Sequence, residues 1–270
     1  MPRQPVTLSF RPLLVLLARA RALLLPQGVL DALRQAALCL VVYEAYSLVR
    51  GAVWNQDITA FNNARTVISF ERGLHLFFEP SVQTWTASKH WLIVILDWLY
   101  INSQFSIAMV VLTFIYLRHN RSFYFVRNMF LVAMLLALIG YIIFPTAPPR
   151  MFPEWGFRDT VSQLTGIPPE NPTVNAIFNP YAAVPSMHIA FALMLAGSLS
   201  RLTKRRVVKA LCWLWPPLIL WTVIATGNHF WFDAFWGVVV AAGAAWGAAR
   251  MAALRPHAWA FWPRTAEAPA

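Results

Sequence analysis

The chain has 270 residues, of which 59% are apolar and only 12% charged, with a formal net charge of +11. Soluble domains average about 45–50% apolar and about 25% charged, so this composition excludes a water-soluble globule and equally a disordered chain, and two cysteines exclude a disulfide scaffold. The positive charge collects between apolar runs, as membrane-flanking charge does, and no zinc-finger, RNA-recognition or basic-zipper pattern accompanies it, so nucleic acid is not the expected partner.

In chain order, residues 1–30 form a basic arm whose apolar run, 13–25, is too short to span and is interrupted by Arg19 and Arg21. No small-residue cleavage site follows it, so it reads as a helix lying on the inner surface, not a signal peptide. A spanning helix needs about 20 largely apolar residues. Six segments qualify as candidates: 32–49, 90–117, 125–144, 184–200, 208–227 and 230–249. The second would rise about 42 Å as one helix against a hydrocarbon core of about 30 Å, so a break is expected at Asn102-Ser103-Gln104. Segment 61–78 mixes charge with bulky apolar residues and reads as a second interfacial helix, on the outer side. Segment 145–183 holds eight of the 19 prolines and reads as a stiff, irregular outer loop. The tail after Arg250 reads as partly interfacial, then disordered. The expected fold is therefore all-α and integral to the membrane: six transmembrane helices, interfacial helices and a proline-rich outer loop, in one domain over 1–270 with its catalytic core at about 90–250.

With the N-terminus inside, sixteen of the 22 Lys and Arg fall on the inner side and six on the outer. This bias predicts both termini in the cytoplasm. Three polar motifs then share the outer face: Phe144-Pro145-Thr146-Ala147-Pro148-Pro149-Arg150, Val184-Pro185-Ser186-Met187-His188, and Thr226-Gly227-Asn228-His229-Phe230-Trp231-Phe232-Asp233. Polar residues at membrane depth point to function. His229 and Asp233 are four apart, so a helix beginning near His229 would stack them on one face. A carboxylate beside an imidazole fixes its tautomer and raises its basicity. Arg150 offers a forked cation suited to phosphate, and backbone donors near Ser186 could add to it. Two histidines, a carboxylate and a guanidinium suit phosphoryl transfer: one His attacks, the other protonates the leaving oxygen. Two His and one Asp could also hold zinc or iron, but six histidines are too few for a membrane di-iron site and no HExxH pattern exists. No metal or other cofactor is expected. Glu44 and Asp97 also lie at membrane depth, either lining the pocket or pairing internally.

Pro185-Ser186-Met187-His188 and His229-x-x-x-Asp233, at this spacing, resemble the type 2 phosphatidic acid phosphatase superfamily, over roughly 90–250. The resemblance implies that His229 takes the phosphoryl group, that Asp233 supports it and that His188 protonates the leaving group. Met187 stands where the family usually has Gly, Val223 where its third motif usually has Arg, and only Pro148-Pro149-Arg150 represents its first motif. These departures resemble the inositol phosphotransferase branch, which includes fungal inositol phosphorylceramide synthase and moves a phosphoryl-bearing headgroup between lipids. The expected function is a metal-independent lipid phosphotransferase or phosphatase of the plasma (inner) membrane, acting on a lipid phosphate at the extracytoplasmic face. A polyprenyl diphosphate phosphatase is the enzymatic alternative, and a lipid transporter or membrane scaffold the non-enzymatic one.

Overall fold

The computed structural model describes residues 25–52, 57–167, 179 and 181–255. The basic arm up to residue 24, the middle of the proline-rich loop and the end of the tail lie outside the described residues. Within them every regular element is helical, apart from one isolated parallel bridge between Thr146 and Ala182. The helices are α1 (Val29–Ala52), α2 (Asp57–Gly73), α3 (Glu79–Ala87), α4 (His90–Ser103), α5 (Ser106–Arg118), α6 (Asn120–Ile143), α7 (Thr160–Thr165), α8 (Met187–Leu202), α9 (Arg206–Ala225) and α10 (Trp231–Leu254).

Among these, α6, α9 and α10 are long and apolar enough to cross a membrane. The pair α4 and α5 adds a fourth crossing if it is one bent span. Of the six spans expected from sequence, three or four qualify by length and composition among the described residues. Of the other two, α1 carries Asp31, Arg34 and Glu44 within its 24 residues. Helix α8 has only 16 residues, about 24 Å of rise. It starts late because Pro185 precedes an extended Ser186, and it stops where Thr203 turns extended ahead of Lys204 and Arg205.

The long apolar run does break: α4 ends at Ser103 and α5 starts at Ser106, with a bend of 51° between them. Segment 61–78 is not one helix. Helix α2 begins earlier, at Asp57, and ends at Gly73, after which His75 adopts a left-handed backbone (φ 58°) and the chain turns into α3. Helix α10 runs past Arg250 to Leu254, because Met251, Ala252, Ala253 and Leu254 extend its apolar run.

Helix α8 is the central element, packed on α9, α10 and α6. The α6–α10 seam is built on small residues: Ala133 and Ala137 on α6, with Ala244 and Ala248 on α10, are fully buried. In lipid, where apolar side chains gain nothing by leaving the solvent, close backbone approach through small residues supplies the packing. Helix α1 is tied to α5 and α6 by a buried polar network. Asp31 accepts from the hydroxyls of Tyr116 and Tyr124, each at 3.0 Å, and from the Gln35 amide, whose carbonyl accepts from Arg127. Beside the polar motifs, Ala60, Ala64, Val67 and Ile68 of α2 pack with Phe152, Phe157 and Phe230 into a second apolar cluster.

Candidate active site

Four backbone hydrogen bonds join the three polar motifs pairwise. Thr146 N–H donates to Tyr181 at 2.8 Å, and Ala183 N–H donates back to Thr146 at 3.3 Å, which zips the first motif to the entry of the second. Arg150 N–H donates to the Gly227 carbonyl at 2.7 Å, joining the first to the third. Ser186 N–H donates to the Asp233 carbonyl at 3.0 Å, joining the second to the third. Stretches far apart in sequence thus form one rigid ring of backbone.

Glycines allow the close approaches. Gly227 has φ +68°, and a Cβ there would sit 2.7 Å from the Gln83 amide nitrogen. Gln83 is buried and holds the proline-rich loop by a two-way bond with the Arg158 backbone, 2.9 Å in each direction. A Cβ on Gly237 would stand 2.5 Å from the Ser186 carbonyl oxygen. Only a bare α-carbon lets α10 pass this near the second motif.

Within the ring, the rings of His188 and His229 are 5.6 Å apart, edge to face, and both residues are buried. His229 Nδ1 lies 3.2 Å from Asp233 Oδ2. The pair does not meet by helical stacking, as its spacing suggests. Helix α10 begins only at Trp231, so His229 precedes the cap. Asp233, three residues after the cap residue Phe230, reaches back so that Oδ2 accepts the Phe230 N–H at 2.9 Å. One carboxylate oxygen therefore serves both the helix terminus and the imidazole. The ring of His229 also makes a hydrogen bond to the backbone of Ala183. Burial, and then the Arg150 charge, push its pKa down to about 3, so the imidazole is neutral at physiological pH.

His188, in the first turn of α8, stacks on Tyr100 of α4 with ring centroids 4.4 Å apart. Its Nε2 lies 3.1 Å from the Tyr100 carbonyl oxygen. A carbonyl only accepts, so Nε2 carries the hydrogen. Arg150 follows the first motif in a single 3-10 turn, Pro149–Met151. Its guanidinium donates to the Asn228 side-chain oxygen and pairs with Asp159 at 3.5 Å. The Ser186 hydroxyl is buried and meets no donor or acceptor.

The geometry thus gathers His188, His229, Asp233, Ser186 and Arg150. Val223, where the resemblance expects an arginine, is fully buried in an apolar cluster. Its carbonyl accepts the N–H groups of Asn228 and His229, so its backbone shapes the turn. Asp97 pairs internally, accepting the Thr160 hydroxyl at 2.7 Å and fastening α4 to α7. Glu44 is exposed on α1. Among the described residues, no group of three or more His, Cys, Asp or Glu is arranged to hold a metal ion.

Sequence reasoning missed two buried carboxyls behind this site. Glu79 Oε1 accepts the Trp231 N–H and Glu71 Oε1 the Phe232 N–H, each at 3.1 Å. The available signal was two acidic residues in a strongly apolar, aromatic stretch, Phe70-Glu71-Arg72-Gly73-Leu74-His75-Leu76-Phe77-Phe78-Glu79.

The sequence pattern of the PAP2 superfamily matches residues 65–247. The chain belongs to the PAP2 superfamily. No curated protein and no solved structure gives a significant match. Superfamily membership and the apolar helices together indicate a membrane enzyme of the phosphatase and phosphotransferase kind, acting on lipid phosphates. The match spans α8 to α10 with both histidines and Asp233, and it begins within α2.

Proposed function

We propose that this PAP2 chain transfers a phosphoryl-bearing group from a lipid through a phosphohistidine at His229. The observation that carries this reading is the neutral, buried His229 fastened to Asp233, with the second imidazole, His188, 5.6 Å away ring to ring. In the first step the ring nitrogen of His229 not held by Asp233 attacks phosphorus, while the lipid oxygen leaves with a proton from His188. For this attack the bond to the Ala183 backbone opens and the ring's single hydrogen sits on Nδ1, donated to Asp233, which frees the lone pair of the other nitrogen. In the second step an acceptor hydroxyl, from water or a second lipid, gives its proton to His188 and attacks phosphorus, and the P–N bond breaks. Asp233 stabilises the imidazolium that forms. Arg150 and donors near Ser186 meet the phosphoryl charge.

Val223 in place of an arginine favours the inositol phosphotransferase branch. A phosphodiester carries one negative charge where a monoester dianion carries two, so a site with one fewer guanidinium suits a diester headgroup donor. The same reading takes all six candidate helices as crossings in one domain, puts both termini in the cytoplasm and opens the site to the outer leaflet of the plasma membrane.

The test is turnover by purified protein in nanodiscs of labelled phosphatidylinositol, lipid phosphate and polyprenyl diphosphate, in EDTA, with and without a lipid alcohol acceptor. Headgroup transfer that disappears in His229→Ala is the expected result. Free phosphate released from the polyprenyl diphosphate alone would move the substrate assignment. Activity that vanished in EDTA and returned with zinc or magnesium would replace the mechanism with a metal-assisted one.

A further inference from the structure

Three carboxyl groups converge on the first turn of α10. Asp233 takes the N–H of Phe230, Glu79 that of Trp231 and Glu71 that of Phe232. All three side chains are 0% exposed. A helix N-terminus leaves N–H groups without partners and carries roughly half a positive charge, so it welcomes one anion. It cannot offset three. Among the described residues neither glutamate has an ion pair. Arg72, the nearest base in sequence, lies instead over the Trp155 ring at 4.9 Å. The titratable group facing the pair from α10 is Asp233, a third carboxyl. The carboxyls of Glu71 and Glu79 sit side by side on the N–H groups of consecutive residues, Phe232 and Trp231, and each acts on the other. Their Oε2 atoms meet no N–H or O–H donor from elsewhere. Two carboxylates in contact repel, whereas an acid and a carboxylate form a strong, charge-assisted bond.

We propose that Glu71 and Glu79 hold one proton between them and that this acid pair, locked on the Trp231 and Phe232 N–H groups, is the positioning element for the His229–Asp233 pair. Burial first, and then the neighbouring Glu79, push the Glu71 carboxyl up to about 10. The proton therefore stays through neutral pH. Its loss would leave two carboxylates beside Asp233, weaken the cap and let the first turn of α10 move away from His229. Neither glutamate touches the reacting atoms in this arrangement. Their role rests on the phosphohistidine reading of His229, but the proton itself can be observed without any substrate.

The experiment is infrared spectroscopy of the purified full chain at pH 8, taken as wild type minus Glu71→Gln/Glu79→Gln. The expected difference contains a carboxylic-acid C=O band that disappears between about pH 9 and 11, around the raised value near 10. Carboxylate bands alone at pH 8 would overturn the shared proton. In parallel, Glu71→Gln, whose amide can donate to Glu79 as the acid does, should keep at least ten times the kcat of Glu71→Ala with KM within threefold. Equal losses in the two would overturn the positioning role. If Glu71→Ala does not fold, Glu71→Asp, which is ionisable but a methylene short, takes its place with the same expectation. A clear acid band in a protein without lipid phosphate activity would leave the pair standing and remove the functional reading. Activity without the band would do the reverse.

Discussion

At the scale of the residue, the site depends on two imidazoles in unlike settings. His229 is sealed beside Asp233 and Arg150, while His188 rests on Tyr100 and is bonded to its carbonyl. Replacing His188 with Ala should lower kcat by about 10²–10⁴-fold, the usual cost of a lost general acid. His229→Ala should cost at least as much, and Asp233→Asn less than His229→Ala, because in the proposed mechanism Asp233 orients and stabilises the ring but does not attack. Steady-state turnover of a labelled lipid, with melting curves confirming the fold, measures all three. Near-normal turnover by His229→Ala would sink the phosphohistidine step. The pH profile gives a second handle. With its pKa pushed down to about 3, His229 stays neutral across the usual range, so no acid-side fall in kcat/KM should centre near 6.5. Arg150→Gln removes one cause of the depression, so it should raise that pKa and move any acid limb to higher pH. A limb left in place, or moved lower, would mean that Arg150 does not act on His229. The glutamate pair has the opposite sign. Glu71 binds its proton more tightly folded than unfolded, so its contribution to stability is full below about 4.5 and is lost as pH rises toward about 10. Thermal melts of the wild type should therefore decline over that interval, and Glu71→Gln should flatten the decline.

At the scale of the element, what matters is how near helix termini come to one another. Helix α10 can start beside Ser186 only because Gly237 lacks a side chain, and the turn before it closes on Gln83 only because Gly227 is left-handed. Gly237→Val should force α10 away from the second motif. Overpacking of this kind costs about 1–3 kcal/mol, and here it should also separate His188 from His229. The expected outcome is a lower melting temperature together with a kcat loss of at least tenfold. A destabilised protein with full kcat would show that the α10 approach does not set the site. The bend between α4 and α5 belongs at this scale too. Sequence located it near Ser103, where Asn102-Ser103-Gln104 interrupts the apolar run. Its consequence, that α4 presents Tyr100 to His188, came from the packing of α4.

At the scale of the whole molecule, the proposed orientation in the membrane rests on the basic residues. Sixteen inner cations against six outer ones favour an outward site. Arg127 weakens that bias slightly, since it is buried within α6 and bonded to Gln35 and Asn128. A Cys at Gln163, exposed on α7, should react with an impermeant maleimide in intact cells, and one at Lys204, between α8 and α9, should not. The reverse pattern would turn the chemistry toward the cytoplasm and remove the outer-leaflet lipids as substrates.

The sequence by itself determined the solvent, the helical class and the three motifs, because apolar length and the spacing of His and Asp are local properties of the chain. Motifs one and two are 34 residues apart from Arg150 to Val184, too far for any periodicity to relate them. Their meeting was decided by the backbone bonds of Thr146 with Tyr181 and Ala183, and their joining to the third motif by those of Arg150 to Gly227 and Ser186 to Asp233, all of which form only once α6, α8 and α10 have packed. Tertiary structure also decided how many helices stand as clear crossings, since the length of α8 depends on where Pro185 and Thr203 let it begin and end. The role of Glu71 and Glu79 was missed for the same reason. A carboxyl in an amphipathic segment looks solvated until the helix it caps, α10 more than 150 residues away, is laid over it.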